Sequence, residues 1–356
     1  MGVYGILSGV MRYRGLLAII ALAVSSLACQ AVMRLAHGLE PTALAAFPGT
    51  PAPAIPPAPS PIGQGLCPAE SNAIIRAANS ENLPPDRFPT VDTSNNPDIL
   101  LVTYNIQGSQ LSAPILAADV PDDLVQYQED FAAQRSIWEL FTSIIPAAQR
   151  QMLSRFQIIT DGPGGVLSAV EQAPDDPGRW ALETDIADAA DKRNLAFTLL
   201  HEFGHLLTLN SAQVPPNLAV FTHPDSKRVL DRAVAACGTY FPGEGCSLPD
   251  SYVNAFFARF WQGLYDEWSA IDQIQDDNRR EARLHAFYRK YEDRFVDSYA
   301  VTSPAEDIAE TWAYYVLSPR PGGTSIKEQK MSFFYAYPEL VTLRGQILRS
   351  ICKANP

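Results

Sequence analysis

Histidine is scarce in this chain, with five in 356 residues. Cysteine is equally scarce, at five, and no two cysteines form a C-x-x-C pair, which argues against a zinc–cysteine site. Grouped cations are missing too. The chain has 27 Lys and Arg against 39 Asp and Glu, a net charge of −12 and a pI near 4.9. It therefore lacks the basic footprint that nucleic acid demands, and its acidity reads as a solvated, soluble surface. No internal repeat is visible. What the chain does have is 47% hydrophobic residues and enough length to bury a substantial core.

The N-terminus reads as targeting rather than fold. In "MRYRGLLAIIALAVSSLAC", Arg12 and Arg14 precede an apolar run from Leu16 to Val24 and then small residues, the layout of an export signal over residues 1–28. The run is shorter than the roughly 20 residues a bilayer span needs. "SLAC" resembles the lipobox of bacterial lipoproteins, with Cys29 as the lipid-bearing residue, although Ser26 stands where leucine is usual and Leu27 comes one place late. Ordinary cleavage after Ala28, giving a fully secreted protein, is the competing reading. Loss of Arg12 and Arg14 takes the basic count from 27 to 25, so the mature balance against 39 acids is −14. Residues 29–65 follow as a spacer rich in Pro and Ala, which cannot bury a core and favours extended polyproline conformations. The folded domain is expected over residues 66–356.

Beyond Cys29, four cysteines remain. An even number in an exported chain predicts two disulfides. "CGTYFPGEGC" closes a short loop, pairing Cys237 with Cys246, and this leaves Cys67 for Cys352.

Periodicity predicts strands at 98–106, 155–162, "GVLSAV" and "RWALETD", with helical segments over about 121–154 and an almost wholly helical pattern from about 191. Strands first and helices afterwards suggest an α+β domain with a small N-terminal sheet beside a mostly helical half. "RWALETD" is a candidate sheet edge to which an extended peptide could add, with an internal strand as the equal alternative.

Two of the five histidines stand four apart in "LLHEFGHLLTL". Chance predicts on the order of 0.003 such H-E-x-x-H matches in a chain of this composition. On a helical wheel Leu195, Leu199, Phe203 and Leu206 share one face while His201 and His205 lie together on roughly the opposite side. Imidazoles at i and i+4 reach one tetrahedral Zn²⁺, and Glu202 falls beside the metal, where it can take a proton from water. The bland alternative is a satisfied buried pair with Glu202 in a salt bridge. A third ligand is required. Thr208 and Ser211 occupy the positions of the metzincin glycine and third histidine, so that subclass is excluded; His223 and His285 have no supporting pattern, and His37 precedes the spacer.

"YAVTSPAEDIAETWAYYV" supplies better candidates, with Glu306 and Glu310 one turn apart and small Ala309 and Ala313 alongside. Here the sequence resembles the gluzincin metallopeptidases, in which a downstream helix gives one Glu to zinc and a second acid, one turn later, holds a zinc-binding His. More narrowly, Tyr299, Glu306, Ala309 and Glu310 look like the corresponding helix of the anthrax lethal factor catalytic domain. The resemblance implies a zincin-like fold, Glu306 as metal ligand, Glu310 behind it, and Tyr299 as oxyanion stabiliser. "SPAE" is also a capping box, with Ser303 as N-cap and Glu306 at N3; in that case Glu310 becomes the ligand. Tyr299 has a packed aromatic as its ordinary reading, and Asp307 reads as a charge at the helix N-terminus.

The expected function is thus a zinc-dependent peptidase outside the cytoplasm, lipid-anchored at the membrane, with peptide or protein as substrate. A zinc-stabilised surface scaffold and a hydrolase of non-peptide amides are the alternatives. Glu202 separates the scaffold from the enzymes, because a structural zinc has no need of an acid there.

Overall fold

The computed structural model describes residues 67–80, 99–160, 162 and 166–354. The expected export signal, Cys29 and the spacer lie outside the described residues. No helix among the described residues is long and apolar enough to cross a membrane.

After helix α1 (Pro68–Ser80) comes β1 (Ile99–Gln107), followed by two short strands, β2 (Gln110–Leu111) and β3 (Ile115–Leu116). Helices α2 (Val125–Glu129) and α3 (Phe131–Ile144) lead to β4 (Leu153–Thr160), β5 (Ser168–Ala173) and β6 (Asp176–Asp185). The remainder is helical: α4 (Lys192–Leu209), α5 (Leu218–Thr222), α6 (Lys227–Ala236), α7 (Tyr252–Phe260), α8 (Tyr265–Asp272), α9 (Asp277–Tyr291), α10 (Pro304–Leu317), α11 (Ile326–Phe333) and α12 (Pro338–Ala354). The molecule is therefore α+β, a small sheet followed by a helical half, as the hydrophobic periods imply.

The sheet is mixed. Its order is β2-β1-β4-β6-β5, with β3 also pairing with β1; β4 and β6 run parallel and every other pairing is antiparallel. "RWALETD" is the body of β6 and lies between β4 and β5, so it is internal and the edge expectation is corrected. Trp180, Ala181 and Leu182 are all buried, the near-continuous apolar run of a strand covered on both faces. The strand ending the sheet on that side is β5, which packs against α4.

The core runs unbroken from sheet to helices, through Phe141, Phe156, Phe203 and Trp312. Two disulfides close the fold as the cysteine count predicts. Cys67–Cys352 ties the start of α1 to the end of α12, and Cys237–Cys246 closes the loop before α7. Both point to an oxidising, extracytoplasmic environment.

Candidate metal centre

Helix α4 is held at both ends by its own polar residues. The Asp191 side chain accepts from the backbone N–H groups of Arg193 (2.9 Å) and Asn194 (3.2 Å), and the Asn210 amide donates to the Leu206 and Leu207 carbonyls at 2.9 and 3.0 Å. Between these caps nearly every side chain is buried, because α4 is packed among α10, α1, β5 and α3. His201, Glu202 and His205 are among those buried, each about 5% exposed or less.

Gly204, inside the H-E-x-x-H motif, sets the distance to α10. A Cβ at this position would stand 2.9 Å from Ala309 Cα and 3.1 Å from its carbonyl oxygen, so only glycine allows so close a crossing. The sequence pattern marks Ala309 as small but gives no sign of the role of Gly204. The Gly204→Ala variant is expected to push the helices apart by several tenths of an ångström and to lower metal affinity at least about 10-fold, the scale of a disturbed ligand support. Metal titration of the two proteins checks this; equal affinities would show that the crossing tolerates a methyl group.

The close crossing brings Glu306 onto the histidines. His201 Nε2 lies 3.0 Å from His205 Nε2 and 3.0 Å from Glu306 Oε2, and His205 Nε2 lies 3.1 Å from the same Oε2. Three lone-pair-bearing atoms thus meet in a triangle. A tetrahedral zinc with bonds of about 2.0–2.1 Å holds its ligand atoms about 3.3 Å apart, so the triangle needs to open by only a few tenths of an ångström. These three residues could hold a metal ion. Burial disfavours the Glu306 carboxylate, but His205 and His201 more than offset it and hold its pKa below the usual range.

The capping question is resolved by division of labour within one residue. The Ser303 hydroxyl accepts from the Glu306 backbone N–H at 3.0 Å, so the N-cap forms, while the Glu306 carboxylate turns to the histidines instead of back to Ser303. Glu310, one turn on, places Oε1 3.1 Å from His201 Nδ1, on the far side of that ring. Such a carboxylate orients a ligating imidazole and raises its basicity. The Glu310–His201 contact is an ion pair rather than an aligned hydrogen bond, and His205 Nδ1 has no hydrogen-bond partner among the described residues.

Glu202 is buried but is not one of the converging atoms. Burial pushes its pKa up to about 7 against the pull of His201 and His205, which suits a group that must take and return a proton. Tyr299, in a short 3-10 turn before α10, sets its ring 5.6 Å from that of His201 and is 38% exposed. The Glu306 charge, foremost, raises its pKa well above the usual value, so the phenol keeps its proton and remains a donor. His223 lies apart, 2.9 Å from Thr222 Oγ1, and neither it nor His285 joins the cluster.

Three acids of this region have no signature in the sequence pattern. Asp297 accepts from the backbone N–H groups of Tyr299 (3.1 Å) and Ala300 (3.0 Å), holding the turn that carries the tyrosine. Burial and the Glu310 charge push its own pKa well up. Glu244 arrives on the disulfide-closed loop, which Gly245 seats against the Pro215 carbonyl; burial raises its carboxyl, whose charge reaches His205 and Glu306. Asp307 adds a partner to what was expected of it. It does stand in the first turn of α10 and outside the metal cluster, but it is fully buried and bonded to Lys330 and, at 2.7 Å, to Trp261 Nε1. That pairing fixes the first turn of α10, and a lone lysine 23 residues downstream gives no local sign of it.

Compared with known proteins, the chain matches no protein-family model, no curated protein and no solved structure. The site's own chemistry therefore carries the functional argument.

Proposed function

We propose that this protein is a zinc-dependent peptidase of zincin-like fold, acting outside the cytoplasm and tethered to the membrane through lipid on Cys29. The observation that carries the reading is the meeting of His201, His205 and Glu306 at 3.0–3.1 Å, with a buried Glu202 beside the first histidine yet outside the cluster. Two imidazoles and one carboxylate also suit non-haem iron, but a structural or redox centre has no use for a buried acid beside the first ligand that does not itself join the cluster.

Zinc held there supplies an acidified water and an electrophile for the scissile carbonyl. Glu202 takes the proton from the attacking water and returns it to the nitrogen of the departing amine. The Tyr299 hydroxyl, kept protonated, donates to the oxyanion. Glu310 holds the His201 ring in place, and Asp297 holds the turn bearing Tyr299. The substrate backbone is drawn to β5, which ends the sheet next to α4 among the described residues.

Metal analysis combined with cleavage of a random peptide library tests the reading. The expected result is about one zinc per chain and cleavage that a chelator abolishes. Less than about 0.2 zinc after gentle purification sinks the metal assignment. Full zinc with no peptide cleaved leaves the scaffold reading or an amide hydrolase. For the anchor, labelled fatty acid should enter the wild type and not Cys29→Ser; equal labelling of both, or none, removes it.

A further inference from the structure

Away from the metal centre, a cavity of about 400 Å³ opens between the β1–β2 turn, the start of β4 and the first residues of β6. Two arginines, Arg150 and Arg179, line it together with Ser109, and among the described residues no Asp or Glu does. In a chain of net charge −12 that concentration of cation is unusual.

Among the described residues no carboxylate pairs with either charge, and the Arg150 guanidinium has only the Trp138 ring, 5.9 Å away, facing it. Arg150 is 5% exposed, and its guanidinium donates from Nε to the Ile145 carbonyl at 3.0 Å and from Nη2 to Ser109 Oγ at 3.3 Å. Nη1 has no partner among the described residues. Arg179 donates only to backbone carbonyls, from Nε to Met152 (3.1 Å) and from Nη2 to Leu153 (2.7 Å). A guanidinium carries five N–H donors, so each of the two uses fewer than half of its capacity in these bonds. Carbonyls and a hydroxyl satisfy hydrogen bonds but do not neutralise charge, and a buried ion without a counter-charge is costly. Arg155, nearby in β4, shows the contrast, since it pairs with Asp175 at 2.9 Å.

We propose that this cavity is a binding site for a small oxyanion, a carboxylate or a phosphate, recognised by Arg150, Arg179 and the Ser109 hydroxyl. The planar guanidinium fork matches both anions in bidentate fashion. Ser109 already accepts from Arg150, which leaves its own O–H to donate to the ligand. The apolar part of the wall, Ile106, Ala147 and Leu153, gives room for a short hydrocarbon body next to a carboxylate. None of these residues belongs to the metal centre, so the site stands whether or not the chain is a peptidase.

The test is thermal unfolding of the purified protein in sodium butyrate, sodium phosphate and sodium chloride at matched ionic strength. At about 10 mM, one or both oxyanions should raise Tm by about 2 °C or more over chloride, as mass action on a folded-state site requires. A larger shift with butyrate assigns a carboxylate, and a larger shift with phosphate assigns a phosphate. Arg179→Gln, at a half-buried position, should abolish the difference, and Arg150→Gln should do the same; Arg155→Gln should keep it. If the Arg150 variant does not fold, the Arg179 variant decides alone. Equal shifts in all three salts, or an oxyanion shift that survives Arg179→Gln, overturns the proposal.

Discussion

Glu202→Gln is expected to keep its metal and to cleave peptides at least about 100-fold more slowly than the wild type, the lower end of what a placed general base contributes. The substitution preserves the shape of the side chain and removes only its ability to hold a proton. Zinc content should not fall, because Glu202 is not among the three converging ligand atoms. The pH profile adds a second readout. Glu202 must be ionised to act, and burial pushes its pKa up to about 7. A dication beside it favours the carboxylate, so the wild-type acid limb should lie below pH 7, with activity lost as pH falls through it. That limb should vanish from the residual activity of the Gln variant. Cleavage at the wild-type rate by Glu202→Gln would remove Glu202 as the general base and with it the mechanism proposed here.

Glu306→Ala is expected to lose both metal and activity, since it removes one of three protein ligands and leaves only two imidazoles, 3.0 Å apart, to hold the ion. Glu310→Ala should be milder, weakening metal binding and activity by about 10–100-fold, because it frees the His201 ring without removing a ligand. Metal analysis of the two variants side by side separates the roles. Metal retained in Glu306→Ala and lost in Glu310→Ala would mean that the ligand assignment is reversed. The Ser303 hydroxyl is a useful control: it caps the Glu306 N–H, so Ser303→Ala should cost about 1 kcal/mol of stability and leave the metal largely in place.

Much of the site is legible in the sequence. His201, Glu202 and His205 are close along the chain, and a helix places positions i and i+4 side by side whatever surrounds it. The Cys237–Cys246 pairing is similarly local, and Cys67–Cys352 follows because only two cysteines remain. The α+β class comes from the change of hydrophobic period near residue 191, a property of consecutive residues.

What the linear pattern leaves open are choices between distant segments. The resemblance favours Glu306 as ligand, but the capping box leaves Glu310 in play; a close crossing at Gly204 and Ala309, 105 positions apart, turns the first toward the imidazole Nε2 atoms and the second toward His201 Nδ1. β6 is internal because β5 folds back along it, an event no residue within β6 encodes. Asp307 finds Lys330, Asp297 comes beside Glu310, and the disulfide loop delivers Glu244, all through packing between elements far apart in the chain. The two arginines are silent for the same reason. A charge reads as ordinary in sequence, and only burial without a counter-charge makes it a candidate for recognition. Helical and strand periods act over a few residues and need no partner, whereas side-chain direction at a site is set by whichever surface packs against it.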